Sequence, residues 1–377
     1  MANAWECWAK QFGIFISLLA VKMFIMKLYD YTGVIHLHSV FSFDGHVGLA
    51  KIIEAAAKNG IDFLMLTDHD HLKARDEGWE GWNGKVLLIV GQEISPRFNH
   101  YLGFNINKAV VCREDAPSIP PQQYINQVNN SGGFGFIAHP DHEGTKMFHV
   151  KHYPWIDWSV NSYTGIGIWD FMTDWQSSLK RYLPSLISFF FPAFFLHGPR
   201  QITLERWDSL NQTKKIVGIG ELDNHATIKK IGAIKIEVFP FNRAFKFIHT
   251  HIITQEPLSG NSQQDIPLLF NALRHGRCYV AMEYFQPTQG FSFLISQNNK
   301  EYSMGDSMFL EDKAQIFISL PVSALVRIIR NGALLNEEVT NNILLPIREE
   351  GAYRTEAYLK KYGKYRPWIF SNPIFVQ

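Results

Sequence analysis

The sequence predicts an α/β chain: strands linked by helices into an α/β barrel or layered sheet, followed by a small antiparallel β-sandwich. Three observations lead there. Short apolar runs alternate with amphipathic segments from 33 to 284. The runs are continuous, as expected of parallel strands buried on both faces. Beyond 285, short strands separated by Asn, Gly and Pro turns replace the helices.

Taken in order, "GVIHLHS" from Gly33 reads as the first strand and "GLAKIIEAAAKNG" as an amphipathic helix closed by Gly60. "IDFLMLTDHD" is a second buried strand, "KVLLIVGQEIS" a third and "HYLGFNI" a fourth. "YINQVNNSGG" is a helix stopped by glycine, and "FGFIAHP" is a fifth strand. "TGIGIWDF" and "KKIVGIGELDNHA" repeat the form. The tail segments "GFSFLISQNN", "AQIFISLP", "ALVRIIRNGALL" and "GAYRTEAYLKK" are the expected sandwich strands. The domain plan is an apolar extension over 1–32, a catalytic domain over 33–284 and the sandwich over 285–377.

Composition narrows the function. The 377 residues are 46% hydrophobic with a formal net charge of +1 and no long basic run, so nucleic acid is not favoured as a partner. Cys7, Cys112 and Cys278 stand far apart, which fits a reducing compartment and a cytoplasmic location. Lys22 interrupts the apolar run at 12–28, leaving it short of the ~20 residues a span needs. A helix packed on the domain is expected there, with a membrane anchor or signal as the alternative. "LISFFFPAFFL" from Leu186 to Leu196 is expected to be a loop covering a pocket or a dimer surface. Membrane contact stays open through either segment, and the oligomeric state is not legible.

The chemical signal lies at the margins of these runs. His36 and His38, Asp68 and His69, Glu93, His100, His139, and Asp223 with His225 stand at ends of expected strands. Parallel strands in a barrel bring such ends to one rim. Imidazole and carboxylate are ligands shared by Zn, Mn and Fe, and a His-x-His on an extended strand puts both rings on one side. Histidines that merely capped helices or filled cores would not be confined to one rim.

The motifs "HLHSVFSFDG", "TDHD", "GQE" followed by "HYLGF", "AHP" and "GELDNH" resemble those of the polymerase and histidinol phosphatase (PHP) superfamily. The resemblance implies a distorted seven-stranded barrel and two or three divalent metal ions. "RWDSL" and the ending "GAYRTEAYLKKYGKYRPWIFSNPIFV" are similar to the branch of carbaryl-hydrolase-like metallohydrolases. The implied ligands are His36, His38, Glu93 and Asp223 for one ion, with Glu93 bridging to a second held by His100 and His139. Asp44, His69 and His225 would complete a third site, with Asp44 where some members have histidine. Gly167 stands where relatives often carry glutamate.

The function implied is a metal-dependent phosphoesterase acting on a small organic phosphate through a hydroxide shared by two ions. The alternatives are a carboxylic or carbamic ester hydrolase using the same cluster, and a non-catalytic metal-binding scaffold. Besides Glu93, Asp68 and His142 are the candidate catalytic groups, Asp68 also as a partner orienting a ligand. Arg97, Lys73 and Arg200 are candidates for holding a remote phosphate. His46, His71, His149 and His152 are read as surface or loop residues, and Trp155, Trp158, Trp169 and Trp175 as core or pocket wall.

Overall fold

A computed structural model of the chain describes residues 27–112, 119–231 and 234–377. Cys7 and all but the last two residues of the apolar run at 12–28 lie outside the described residues. The fold is mixed α/β with large sheets.

The first half contributes β1 (Tyr29–Ile35), β2 (Phe63–Leu66), β3 (Gly81–Asn83), β4 (Val86–Val90), β5 (Gln92–Ile94), β6 (Tyr101–Phe104), β7 (Phe134–Ile137), β8 (Gly165–Asp170) and β9 (Val217–Glu221). β1, β2 and β4 are parallel neighbours, as are β7, β8 and β9. The apolar runs of β2 and β4 are wholly buried, and alternate residues serve different cores. Leu64, Leu66, Leu88 and Val90 pack with Ile52 and Ala56 of the helix Leu49–Lys58, whereas Phe63, Met65, Leu87 and Ile89 pack with Phe104 and Phe136. That two-sided burial is what a run without polar alternation requires.

The expectation of uniformly parallel strands fails in the middle. "KVLLIVGQEIS" breaks at Gly91 into β4 and β5, and β5–β6 and β6–β7 are antiparallel. A parallel link needs a crossover of about a dozen residues or more, and the connection between β5 and β6 is far shorter. The two sheets meet at both margins of this succession: Asp223 N–H donates to His36 O, and Asp70 N–H donates to Glu93 O. Isolated parallel bridges join Leu37 to Asn224 and His69 to Glu93.

β10 (Ile228–Ile231) and β11 (Ile234–Glu237) form a separate ribbon. β12 (Ile248–Thr254) and β13 (Cys278–Met282) extend the β1 sheet antiparallel. The remaining strands are β14 (Ser292–Gln297), β15 (Lys300–Ser303), β16 (Ser307–Met308), β17 (Gln315–Arg330), β18 (Ala333–Pro346), β19 (Gly351–Lys361), β20 (Lys364–Ser371) and β21 (Ile374–Val376). Through β13–β20 pairing this tail is hydrogen-bonded into the sheet that contains β1.

Two side-chain links fasten the tail to the first half, one to the helix Gln201–Asn211 and one to β9. The buried Arg354 of β19 makes a two-pronged ion pair with Asp208, at 2.6 and 2.7 Å, and a third contact of 2.6 Å with Glu356. Its guanidinium also lies over the Trp207 ring. "RWDSL" and "GAYRTEAY", far apart in sequence, therefore meet. Asn372, between β20 and β21, accepts from Gly218 N–H and donates to Gly218 O, both at 2.8 Å, bracing β9.

The Leu186–Leu196 stretch is not the expected loop. It belongs to a helix, Tyr182–Phe190, and a short 3-10 turn, Pro192–Phe194. The helix is inverted: Ser185 and Ser188 are buried, each donating to a backbone carbonyl of the preceding turn, while Tyr182, Leu183, Leu186 and Phe190 are exposed. No helix among the described residues is long and apolar enough to cross a membrane.

Candidate metal centre

The ends of β1, β2, β7 and β9 deliver their polar residues to one place, but not by strand alternation alone. β1 stops at Ile35, and His36 takes a left-handed backbone with φ 68°. His139 and Asp223, each just beyond a strand, also have positive φ, at 25° and 47°. Such backbones are uncommon outside glycine and each costs on the order of 1–3 kcal/mol. The expectation that an extended His-x-His would align both rings therefore has the right result for a different reason: a sharp turn aims them.

Glu93 sits at the centre, buried. Its Oε2 lies 3.2 Å from His36 Nε2, 3.3 Å from His38 Nε2 and 3.2 Å from His69 Nδ1. Its Oε1 lies 2.7 Å from His100 Nδ1 and 3.3 Å from His139 Nε2. Asp223 Oδ1 is 3.3 Å from His36 Nε2 and 3.5 Å from His38 Nε2. Asp44 Oδ2 is 3.2 Å from His69 Nε2 and 3.1 Å from His225 Nε2. The nine side chains expected to converge thus fall into three overlapping groups whose ligand atoms are within 4.8 Å of one another: His38, Asp44, His69, His225; His36, His38, Glu93, Asp223; and Glu93, His100, His139.

The donor set fits divalent ions. Metal–ligand distances near 2.0–2.1 Å in tetrahedral geometry place donors about 3.3–3.4 Å apart, which is the spacing of most of these pairs. His36 Nε2, His38 Nε2, His69 Nδ1, His139 Nδ1 and Asp44 Oδ1 are buried with no hydrogen-bond partner. Orphans of that kind are costly, and three of them, on His36, His38 and His69, face Glu93 Oε2. The far nitrogens are anchored as ligating imidazoles require: His36 Nδ1 meets Glu221 Oε2 at 2.7 Å and His100 Nε2 meets Pro96 O at 2.9 Å.

Electrostatics point the same way. Burial would raise the pKa of Glu93, but His36, His100 and His69 outweigh it and hold the carboxyl well below the ordinary range. Burial would lower His139, but its Glu93 hydrogen bond and the charges of Asp223 and Glu93 hold it up to about 9. In the metal-free protein the stability from His139 is thus fully present below its unfolded value of 6.5 and is lost as pH rises through about 9. Calorimetry at stepped pH should show the melting temperature of the metal-free protein falling over that window, with saturating Zn or Mn abolishing the fall. A rise would contradict this account.

Sequence reasoning missed Glu221. Its carboxylate accepts from His36 and from the His139 backbone N–H at 3.0 Å, and it fills the space beside Gly167, where an added Cβ would lie 1.2 Å from Glu221 Oε1. A carboxylate from the adjacent strand β9 thus occupies the space that a side chain at position 167 would take. The signal was present in "GELDNH", where Glu221 stands two residues before Asp223. Gly167→Ala should displace Glu221 and weaken metal affinity about 10- to 100-fold, read by competition with a chelating dye; unchanged affinity would rule out this role for Glu221.

The other expected residues divide between the cleft and its surroundings. Asp68 orients no ligand: its oxygens accept from Ser39 N–H at 2.6 Å and Ser39 O–H at 2.7 Å, pinning the loop after β1. His142 does reach the cleft, with Nε2 3.0 Å from Gln176 Oε1 and Nδ1 accepting from Tyr153 N–H; burial first, then His139, pushes its pKa down to about 3. Arg97, Lys73 and Arg200 do not line the cleft. Arg97 donates to His152 O, Lys73 lies over the Phe41 ring, and Arg200 donates to Asp141 O. Lys151, not foreseen, does line it, with Phe41, Phe43 and Tyr153, in a cleft of about 910 Å³. Asp170, in "WDF", was also missed; burial and then Asp223 and Glu221 push its carboxyl up to about 7. Trp155, Trp169 and Trp175 are buried, as expected.

No protein-family model matches the chain, and no curated protein matches it in sequence. Among solved structures it is similar to a two-domain protein from Bacteroides vulgatus containing a predicted PHP-like metal-dependent phosphoesterase, with 13% identity over 92% of this chain and 95% of that one and a TM-score of 0.43. It is also similar to a candidate metal-dependent phosphoesterase from Bifidobacterium adolescentis (14% identity, 54% of this chain, 92% of that one, TM-score 0.37). An amidohydrolase from Chromobacterium violaceum with bound sulfate and no metal is a third (15% identity, 55% of this chain, 92% of that one, TM-score 0.30). Likenesses this distant carry no chemistry across; the geometry of the site itself has to do so.

Proposed function

We propose that the protein is a metal-dependent phosphoesterase of the PHP superfamily, in the carbaryl-hydrolase-like branch, built on a distorted seven-stranded barrel and acting on a small organic phosphate. The observation that carries this reading is the Glu93-centred nest, in which buried ring nitrogens without hydrogen-bond partners stand at coordination spacing from carboxylate oxygens. His36, His38, Glu93 and Asp223 would hold one ion, Glu93, His100 and His139 a second, and Asp44, His69 and His225 a third. When bound, such ions supply Lewis acidity toward a phosphoryl oxygen and lower the pKa of water.

The chain's own residues do the rest. Glu221 keeps His36 in the tautomer whose Nε2 lone pair faces the nest. His142, held neutral with Nδ1 accepting from Tyr153, directs its Nε2 hydrogen to Gln176 and can offer it to a substrate oxygen entering the cleft. Lys151 supplies positive charge at the cleft wall for a phosphate.

A second reading, hydrolysis of an aryl carboxylic or carbamic ester by the same nest, is favoured by Phe43, which is 82% exposed and stacks on His69 with ring centroids 4.8 Å apart. The deciding experiment is a paired assay of Zn- or Mn-loaded protein on a chromogenic phosphate ester and an aryl ester. Turnover of the phosphate ester, abolished by chelation, supports the first reading. Turnover of the aryl ester alone transfers the assignment to the second, and silence on both overturns each.

A further inference from the structure

Among the described residues one more group of potential ligands converges, apart from the Glu93 nest: His249, His251 and Glu283. His249 and His251 are on β12 and point away from Thr250, whose hydroxyl bonds Gly220 of β9. They therefore occupy the opposite face of the strand. His251 pairs in register with Thr32, at the middle of β1, whereas the nest begins at His36 beyond its end.

The far atom of each group is fixed by an acceptor or donor. His249 Nε2 faces Phe245 O at 2.8 Å, and His251 Nδ1 faces Asp30 Oδ1 at 2.8 Å. Glu283 Oε1 accepts from Thr288 N–H at 2.6 Å and Thr288 O–H at 2.8 Å. Carbonyl and carboxylate acceptors put the single proton of each neutral ring on that far nitrogen. The near atoms, His249 Nδ1, His251 Nε2 and Glu283 Oε2, are then three lone pairs facing one another. Two of the separations are 2.9 and 3.5 Å. Lone pairs so placed repel, so a proton or a metal ion has to stand between them.

A second proton on His251 is the alternative occupant, since burial would lower its pKa but Asp30 and Glu283 hold it up to about 10; a metal would displace that proton. A single dication balances Glu283 and Asp30 with both rings neutral. The outer hydrogen bonds to Phe245 O and Asp30 have the pattern that orients metal-ligating imidazoles.

We infer that His249, His251 and Glu283 form a second, separate metal site for a divalent first-row transition ion of the zinc class. Two imidazoles and one carboxylate are a donor set such ions favour. Thr288 Oγ1 lies 3.4 Å from His251 Nε2 beside the three ligands, and the partly exposed Asp30 and Glu283 mark the way in. The ion would join β1, β12 and the segment after β13, a structural fastening away from the Glu93 cleft.

The test uses the full chain, stripped with chelator and reloaded with Zn(II). Anomalous diffraction at the zinc edge should show a peak between His249 Nδ1, His251 Nε2 and Glu283 Oε2. Elemental analysis should show that His251→Ala and Glu283→Gln each bind one metal equivalent less than the unaltered chain while keeping its hydrolytic turnover. Co(II) absorption retained in a Glu93→Gln variant separates this site from the nest, so the two readings can fail independently. No anomalous peak at zinc excess in the unaltered chain overturns the inference whether or not the variants fold, as does unchanged metal content in folded His251→Ala.

Discussion

Glu93→Gln should abolish metal-dependent hydrolysis, with a fall in kcat/KM on the order of 10³-fold or more. Glu93 is the only side chain of the nest whose two oxygens face both of the principal groups: Oε2 toward His36, His38 and His69, and Oε1 toward His100 and His139. An amide keeps the shape but has one acceptor oxygen instead of two and no charge. Losing Lewis-acid stabilisation is worth several kcal/mol, and each 1.36 kcal/mol is tenfold in rate. The substitution also leaves histidines that burial alone would discharge without their main counter-charge. Metal analysis should register the loss together with the kinetics. A variant that retained full metal content and near-normal turnover would show that the two groups do not share an ion-bridging carboxylate.

Arg354→Ala should destabilise the chain by about 3–5 kcal/mol, the cost of leaving buried carboxylates without their cation. Asp208 and Glu356 are both buried and both depend on this guanidinium. Denaturant unfolding monitored by fluorescence would give the value, and Trp207 under the guanidinium is a local reporter. Arg354→Lys should recover only part of the loss, because an ammonium cannot reproduce the two-pronged contact with Asp208. A loss no greater than that of an exposed ion pair would mean the contact is incidental.

The sequence is most legible where chemistry repeats. All nine expected ligands converge because they border apolar runs, and a run of that kind has few alternatives to a buried strand. Less is legible where geometry depends on partners. Nothing local distinguishes Glu221 from an ordinary strand carboxylate until Gly167 on the next strand opens space for it. Asp68 suggests a ligand's partner because it precedes His69, yet its carboxylate turns to Ser39 instead. Arg97, Lys73 and Arg200 stand out by charge alone, and backbone carbonyls and an aromatic ring claim them. The inverted helix Tyr182–Phe190 reads as a loop because its apolar residues face solvent and its serines face inward, against the usual pattern. Antiparallel β5–β6 pairing follows from the short connection between the two strands, and antiparallel β6–β7 pairing, across a long connection that holds the helix Pro121–Asn130, has no cue in the apolar pattern.

Asn372 has a bearing on biogenesis. It clasps both backbone groups of Gly218, three residues before Glu221 and five before Asp223, and the ribosome adds it 154 residues after Gly218. A nascent chain carries every ligand of the nest long before that clasp exists. An ion captured early would therefore meet an unbraced β9, and the finished pocket has to wait for that much more polypeptide to emerge.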